Sequence, residues 1–358
     1  MATSRADIPN HSKAEIRRKT IHLISNMRRL DGVKTDQYQA ANIFIGDGSI
    51  LLSGVRLFFK AFRRDAIVVY SQTRLLLVFC VLQWLLPIHR CKVIGADYIL
   101  PEPHGWNQKL VARLKGMLLR KVDMFILHFV DTSGYERDYG ISPARCVFVP
   151  FKVNYLDTMP PDNQFSSEGG YVFTAGQSHR DIPTFLSAMR QVGYPGLLLR
   201  EDNGPMKEGG TESELLHVSS NVKIEMNVGG KSWFEHIARA KIVVVPLFRV
   251  TGYAPGLSLC LMAMAMKKCV IISEGLSTRG IISNQAIVVP PEDPMALAEA
   301  IRRVWKDAEL REGIAAAGQR YASGLEGESR LLGDILNICG RLVEGREAEV
   351  KQEVIRRA

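Results

Sequence analysis

Short apolar runs recur along this chain, and each is followed by a segment long enough to form an α-helix. In the first half they predict strands at Asn42–Ile45, Ala66–Tyr70, Cys91–Gly95, Met124–Phe129 and Val147–Val153. The intervening segments, Leu51–Arg64, Leu75–Ile88 and Lys109–Arg120, read as helices. Strands that alternate with helices are typical of βαβ units around a parallel sheet. This alternation therefore predicts an α/β fold.

The same pattern starts again after a segment that has no periodicity. Residues 155–170 are rich in Pro, Gly, Ser and Asp, which indicates a linker. Its position predicts two Rossmann-like, doubly wound domains that face an interdomain cleft. The expected boundaries are a first domain at 1–154, a linker at 155–170, a second domain at 171–340 and a charged C-terminal helix at 341–358.

The chain has 46 Lys and Arg against 37 Asp and Glu, a net charge of +9 in 358 residues. This surplus favours anionic partners such as nucleotide phosphates or anionic lipid. Nucleic acid is not expected, because no module of interleaved aromatic and basic residues is present. The six cysteines lack CxxC spacing and lie mostly in apolar runs, which predicts buried thiols in a reducing compartment. Without a visible secretory signal, we expect a cytoplasmic protein.

Two segments suggest contact with a membrane surface. Residues 12–29 are basic and compatible with an amphipathic helix, which can lie on anionic lipid or pack as a solvated helix on its domain. Leu75–Ile88 is the most apolar segment, but it is too short to cross a bilayer. A buried helix is the preferred interpretation, and a helix that dips into the membrane is the alternative. Both segments allow a peripheral association with the inner face of the membrane.

A glycine-rich loop in the second half predicts an anion site. The buried strand before it ends near Pro246, the loop contains Gly252, Pro255 and Gly256, and a helix begins at Leu257–Ser258. Free N–H groups and the helix dipole at such a helix start attract phosphate, and glycine lets the backbone approach it closely. The alternative is that Gly256 only permits the turn and Ser258 only caps the helix.

A second loop of this kind follows the first strand of the second half, in the sequence FTAGQSHRD. Gly176 turns the chain there, and Ser178 and Arg180 come before the next helix. An arginine can form a bidentate pair with phosphate, or a surface salt bridge with Asp181 or a neighbour. Because both loops follow parallel strands, we expect them at the same edge of the sheet.

These motifs resemble the nucleotide-sugar-binding domain of GT-B glycosyltransferases, specifically the retaining "group 1" family. GQSHRD, VVVPL, GLSLCLMAMAMKKCVII and VVPPEDPMALAEAI occur in the family's order between Tyr171 and Ala322. The resemblance implies that Gly176 and Arg180 face phosphate. It also implies that the amides at Gly256, Leu257 and Ser258 hold the donor's pyrophosphate.

The chain departs from the family at several positions. Two family glutamates align with Ala254 and Met262, and Phe185 stands where a basic residue is usual. Lys231 in the GGKSW loop is a candidate replacement for that basic residue. Glu274, after the CVIIS strand, is a candidate for the missing carboxylate, although an exposed loop acid is the simpler interpretation.

The chain contains no D-x-D pair, the motif with which GT-A enzymes hold a metal ion on the diphosphate. GT-B enzymes use helix dipoles and basic side chains instead, so we expect no metal and no other cofactor. The resemblance implies that the N-terminal domain at 1–154 binds the acceptor, and it points to Asp97 or His104 there as catalytic residues. Either side chain could accept a hydroxyl proton or stabilise developing charge. Asp97 could instead cap a turn, and His104 could be an ordinary loop residue.

The resemblance implies a metal-independent, retaining transfer of a sugar from a nucleotide diphosphate sugar to a hydroxyl acceptor such as a glycan or a lipid-linked glycan. Two alternatives stay open. The chain could be a non-catalytic GT-B protein that binds a nucleotide or a partner, as the missing glutamates suggest. It could also be a GT-B nucleotide-sugar epimerase, although no convincing carboxylate pair for that chemistry is visible.

Overall fold

The computed structural model describes residues 18–46, 48–88, 90–159, 170–200, 218–249 and 252–350. Its strands form two six-stranded sheets in which every pair of neighbours is parallel. The α/β prediction with two doubly wound domains is confirmed.

The N-terminal sheet has the strand order β2-β1-β3-β4-β5-β6. Parallel strands buried on both faces are expected to be almost continuously apolar, and β3 (AIVVY) and β5 (MFIL) fit this rule. The bounds are β1 Lys19–Ser25, β2 Tyr38–Phe44, β3 Ala66–Tyr70, β4 Lys92–Ala96, β5 Met124–Leu127 and β6 Cys146–Phe148.

The C-terminal sheet has the order β12-β11-β10-β7-β8-β9. Strands β7 to β9 are added toward one side of the sheet and β10 to β12 toward the other, so the strand order reverses between β7 and β10. Ligands of open α/β sheets bind beyond the carboxyl ends of the strands at such a reversal. The bounds are β7 Val172–Ala175, β8 Gly196–Arg200, β9 Val222–Met226, β10 Ile242–Val245, β11 Cys269–Ser273 and β12 Ile287–Val289.

Helices cover both faces of each sheet. Alternate residues along the N-terminal strands pack against α1 to α4 on one face and against α10 on the other. In the C-terminal sheet, α6, α7 and α9 pack on one face and α5 and α8 on the other. The described helices are α1 Ile50–Lys60, α2 Thr73–Leu85, α3 Gly105–Leu118, α4 Ser133–Tyr139, α5 Ile182–Val192, α6 Lys231–Arg239, α7 Leu257–Ala265, α8 Pro294–Lys306, α9 Ala308–Leu325 and α10 Glu328–Val343.

The cysteines are free thiols, and Cys80, Cys260, Cys269 and Cys339 are buried. Burial raises the pKa of the Cys260 thiol to about 12, which keeps it protonated at neutral pH. No described helix has the length and apolar character that crossing a bilayer requires.

The prediction of a basic helix at residues 12–29 is wrong for the described part of that segment. Residues 19–25 are strand β1, which lies between β2 and β3 with Ile21, Leu23 and Ile24 fully buried. These apolar spacings fit a helix face as well as a strand that is buried on both faces, so periodicity alone did not decide. The membrane hypothesis loses this helix as its support, and residues 12–17 lie outside the described residues.

The predicted boundary at residue 340 is also wrong, because α10 packs on the N-terminal sheet. Its residues Leu332, Ile335, Leu336 and Cys339 join the core that contains β1. Of the predicted helix at 341–358, the first three residues end α10 and residues 347–350 are helical, while 351–358 lie outside the described residues. The chain therefore crosses back and covers a face that its first half leaves open.

Ile335→Ala should lower the free energy of unfolding by about 2–5 kcal/mol, because it leaves a cavity where Ile335 is fully buried between α10 and the N-terminal sheet. Urea unfolding followed by circular dichroism measures this change. A loss below about 1 kcal/mol would show that α10 contributes little to the N-terminal core.

Candidate functional site

The glycine-rich loop lies between β10 and α7, as the sequence predicts. Gly256 occupies the position before Leu257, the first residue of α7, with φ +84°. A Cβ at Gly256 would lie 2.8 Å from Val245 Cγ1, so both the backbone angle and the space require glycine. Seven residues of the nine-residue helix are buried, which fixes the direction of its N-terminus.

Ser258 does not cap α7 with its side chain. Its hydroxyl instead accepts a hydrogen bond of 2.7 Å from Asn154 Nδ2, which follows β6 of the N-terminal domain. Glycine before the helix offers no side-chain acceptor either. The first N–H groups of α7 therefore depend on another acceptor, such as solvent or a ligand.

Arg180 is buried beside this loop, with only 6% of its surface exposed. Its Nε donates to the Ala175 carbonyl at 2.9 Å and its Nη1 to the Ser178 carbonyl at 3.1 Å. The guanidinium lies against Gly176, where a Cβ would be 2.9 Å from Nη2. Burial lowers the pKa of Arg180 to about 10, so it remains a cation at neutral pH.

Within the described part of the chain, no carboxylate forms an ion pair with Arg180. Asp181, the alternative partner in the sequence analysis, accepts from Thr184 N at 3.0 Å and caps α5. A buried cation that has only carbonyl partners is poorly compensated for its lost hydration. Arg180 is therefore suited to a phosphate oxygen.

Backbone hydrogen bonds join the two loops at the carboxyl edge of the C-terminal sheet. Asp181 N donates to Pro246 O at 3.0 Å, and Phe248 N donates to His179 O at 3.1 Å. The expectation that the two loops share an edge is confirmed. Ser178 is exposed, and its hydroxyl lies 3.2 Å from His179 Nδ1.

Tyr253 is a residue of this loop that the sequence analysis missed. Its ring packs against His179 with 4.6 Å between centroids, and its buried hydroxyl has no hydrogen-bond partner among the described atoms. An unsatisfied buried hydroxyl is costly, so it marks a position where a ligand or water would bind. The signal was a tyrosine between the two glycines of TGYAPG.

The carboxyl edges of the two sheets face each other. Gly252 O accepts from Leu100 N at 3.5 Å and from the Tyr135 hydroxyl at 3.3 Å, and both donors belong to the N-terminal domain. Leu276 of the C-terminal domain is buried in the N-terminal core. The glycine loop is therefore held directly against the domain that is expected to bind the acceptor.

Asp97 directly follows β4 at this facing edge. Its carboxylate accepts a hydrogen bond from the Ser71 hydroxyl, and Ser71 follows β3. Both residues have a positive φ, +48° at Asp97 and +51° at Ser71, which is uncommon for residues other than glycine. The half-buried Asp97 is the only one of the two predicted catalytic residues that the structure puts at a strand end.

His128 and Tyr70 extend this polar group. His128 Nδ1 lies 2.8 Å from Val149 O and must donate to it, so Nε2 accepts from the Tyr70 hydroxyl at 3.2 Å. Asn26, after β1, holds the Tyr70 backbone with two hydrogen bonds of 2.8 Å. Each of these residues lies at or just beyond a strand end, and this was the signal available in the sequence.

His104 lies elsewhere, immediately before α3. It is exposed, and its backbone N–H donates to Gln108 Oε1 at 2.8 Å. It lines a surface cavity of about 460 Å³ with Glu102, Lys109 and Arg137, and Asp97 is not part of this lining. The structure therefore does not bring the two predicted catalytic residues together.

The remaining donor candidates have different surroundings. Glu274 is exposed, and its carboxylate pairs with Arg279 Nε at 3.2 Å; Arg279 Nη1 also lies 3.7 Å from Asp131 of the N-terminal domain. Lys231 is the first residue of α6, and its side chain lies outside the described atoms. Met262 is buried in the apolar core of the C-terminal domain, so no carboxylate replaces the family glutamate there.

Comparisons with known proteins agree with this architecture. The family model described as "Glycosyl transferases group 1" matches residues 203–307. The Anabaena HepE protein, crystallised with UDP, has a TM-score of 0.67 at 12% identity, covering 90% of this chain and all of its own. Sucrose-phosphate synthase of Thermosynechococcus elongatus has a TM-score of 0.63 at 15% identity, covering 91% of this chain and 89% of its own. No curated protein matches in sequence.

The chain therefore has the two-domain GT-B fold of these structures. Its C-terminal domain carries a group 1 glycosyltransferase domain. The resemblance to GT-B glycosyltransferases that the motifs indicate is confirmed.

Gly256→Ala should abolish most binding of inorganic pyrophosphate at the predicted anion site, because the new Cβ would collide with Val245 and displace the start of α7. Gly193→Ala is the matched control: Gly193 also has a positive φ, +70°, but faces open space. Both changes carry a backbone strain of about 1–2 kcal/mol. Calorimetric titration with pyrophosphate should show a loss of affinity above about tenfold for Gly256→Ala only. Equal affinities of the two variants would contradict this account of the loop.

The pH dependence of stability should reflect His128. Burial lowers the pKa of His128 below its usual value, and the Lys152 charge acts in the same direction while Asp97 opposes it. Below about pH 6.5 the unfolded chain binds a proton that the folded chain excludes, so this contribution to stability is lost as the pH falls. Denaturant unfolding at about pH 7.5 and about pH 5.5 should therefore show a smaller pH effect in His128→Gln than in the wild type. Identical slopes would show that His128 does not stay neutral.

Proposed function

We propose that this glycosyltransferase transfers a sugar from a nucleotide diphosphate sugar to a hydroxyl acceptor, with retention of configuration and without a bound metal ion. The C-terminal domain binds the donor, and the N-terminal domain presents the acceptor across the cleft. The observation that carries the proposal is the buried, carboxylate-free cation of Arg180, joined through its loop to the glycine start of α7.

In this proposal the diphosphate binds between the start of α7 and the Arg180 loop. Backbone N–H groups after Gly256 donate to phosphate oxygens, and the dipole of α7 favours the negative charge. Arg180 adds a fixed cation whose lost hydration a phosphate would compensate. The structural relatives with UDP and with UDP-glucose bound support a uridine nucleotide as the first donor to test.

The same groups would act during the chemical step. Negative charge grows on the diphosphate as the bond to the sugar breaks, and preorganised N–H groups and a cation stabilise that charge. Within the described residues, no group of three or more His, Cys, Asp or Glu side chains is arranged to hold a metal ion. The proposal assigns charge stabilisation to the first N–H groups of α7, to Arg180 and to Lys231, the candidate from the sequence.

Asp97 is the proposed catalytic residue on the acceptor side. Its carboxylate is oriented by the Ser71 hydroxyl, at the end of β4 that faces the donor loops. A carboxylate in this position can hold the acceptor hydroxyl and accept its proton. The acceptor class that we propose is a glycan or a lipid-linked glycan at the cytoplasmic face of the membrane. His104, in its separate cavity, would contact a distal part of such an acceptor.

A non-catalytic, nucleotide-binding role is the second candidate, and Ala254 and Met262 are the observation in its favour. These residues occupy the positions of the two family glutamates, and Met262 fills apolar core. Glu274 would have to leave Arg279 before it could bind ribose or sugar hydroxyls. Binding of nucleotide without any turnover would favour this second role. The epimerase alternative would instead require that the protein interconverts the donor sugar with its epimer.

Arg180→Met should weaken UDP binding by more than tenfold, because it removes charge-assisted hydrogen bonds worth about 1.5–3 kcal/mol. Arg180→Lys keeps the charge and should retain part of the affinity. Calorimetric titration measures both variants, and circular dichroism checks that they are folded. Unchanged affinity in a folded Arg180→Met variant would reject the phosphate-binding role.

Sugar transfer should persist in the presence of EDTA, because helix amides and Arg180 replace a metal ion in this proposal. The assay measures release of nucleotide from UDP-, GDP- and ADP-sugars with acceptor mixtures, with and without EDTA. Proton NMR of the product would give its anomeric configuration. Complete loss of turnover with EDTA, restored by a divalent cation, would contradict metal independence.

A further inference from the structure

The outer surface of the N-terminal domain carries a wide apolar layer that neither the core nor the cleft uses. Helices α1, α2 and α3 pack their buried side chains on one shared core, and α2 lies against both of its neighbours. Their opposite sides face solvent. The most exposed apolar side chains there, from 52% to 76% accessible, include Leu51, Phe59, Trp84, Leu85, Trp106 and Leu114.

Large contiguous apolar surfaces of this kind are rare on monomeric proteins and mark sites of interaction with protein or membrane. The three helices lie side by side, and each contributes at least three exposed large apolar residues. The described helices of the C-terminal domain, by comparison, have one exposed large apolar residue, which is Met295 in α8. The apolar layer is therefore a feature of one domain face.

The charge on this face indicates which kind of partner it binds. Helices α1, α2 and α3 contain no Asp or Glu, and their charged residues are Arg56, Lys60, Arg74, Lys109, Arg113 and Lys115. Of these, all but Lys115 are exposed. Basic side chains around apolar and tryptophan side chains are the pattern of helices that lie in the interface of an anionic membrane.

Other occupants fit this face less well. A second copy joined through the same face would place basic helices against basic helices, because a two-fold contact uses the same patch on both subunits. The first 17 residues of the chain carry three basic and two acidic side chains, so they do not complement the charge. Because no described helix can cross a bilayer, the face would lie on the membrane and not span it.

We propose that the exposed face of α1, α2 and α3 docks the protein on an anionic lipid bilayer. The apolar side chains enter the interface, and the arginines and lysines bind lipid phosphates. Since these helices begin at the carboxyl ends of the strands, their N-terminal ends lie at the cleft side of the domain. Docking would bring the cleft close to the membrane, and it requires neither donor nor catalysis.

Vesicle sedimentation with the full-length chain tests the proposal without any sugar nucleotide. Vesicles of phosphatidylcholine with phosphatidylglycerol should bind the protein at low salt, and phosphatidylcholine alone should bind at least tenfold more weakly. Tryptophan fluorescence should shift to shorter wavelength on binding, because Trp84 and Trp106 leave water. No binding to the anionic vesicles at low salt would overturn the proposal.

Leu85→Glu with Leu114→Glu should reduce this binding at least tenfold and keep all four tryptophans as reporters. Val288→Glu with Met295→Glu is the matched control, with the same change of charge at exposed apolar positions of the other domain. Both pairs should leave thermal unfolding and UDP binding unchanged. Equal loss in both pairs would overturn the proposal, because it would reflect charge alone.

Sedimentation equilibrium in the absence of lipid tests the second-copy alternative. If the face binds membrane, the wild type and the Leu85→Glu, Leu114→Glu variant should have the same molecular mass in solution. Membrane docking would be rejected by two results together: the wild type is a dimer and the Leu85→Glu, Leu114→Glu variant is a monomer, and the variant binds vesicles as well as the wild type does. The face would then be assigned to self-association.

Discussion

The parallel direction of the described strands collects the residues of the candidate site at one edge of each sheet. Each described strand leads the chain to that edge, and a helix or a loop carries the chain back to the next strand. The polar residues just beyond the strands are therefore collected there, with Arg180 and Gly256 on one side and Ser71 and Asp97 on the other. Because Leu100 N donates to Gly252 O across the gap, the two edges lie next to each other.

The proposed donor site depends on a cation that the fold keeps away from carboxylates. Among the described residues, the Arg180 guanidinium is hydrogen-bonded only by the carbonyls of Ala175 at the end of β7 and of Ser178, so its charge remains available to an anion. The N-terminus of the adjoining α7 is a second source of positive potential, and the burial of most residues of α7 fixes its orientation. Because Ala254 and Met262 stand where the family has glutamates, the donor sugar would have fewer contacts in this site. This is the reason for the second candidate function, nucleotide binding without catalysis.

Helix α10 connects the two domains in a way that bears on this site. It follows the C-terminal domain in sequence and covers the N-terminal sheet, while Glu328 at its start binds both Arg29 and Lys152. The two domains are thus joined by the segment at 155–170 and by this return of the chain. These two connections hold the domains in a defined relative position, which would suit the proposed alignment of a donor with an acceptor.

The sequence alone predicted strands β3 to β6, helices α1 and α2, the repeat of the strand and helix pattern in the second half and the two loops at the carboxyl edge, because apolar runs and glycine act over a few residues. It could not determine that residues 19–25 form a central strand, since three apolar residues at these spacings fit a helix as well. Only the tertiary structure decided that α10 belongs to the N-terminal core, that Tyr70 and His128 meet near Asp97, and that His104 lies apart. These outcomes depend on contacts between residues distant in sequence, and a local pattern carries no information about them.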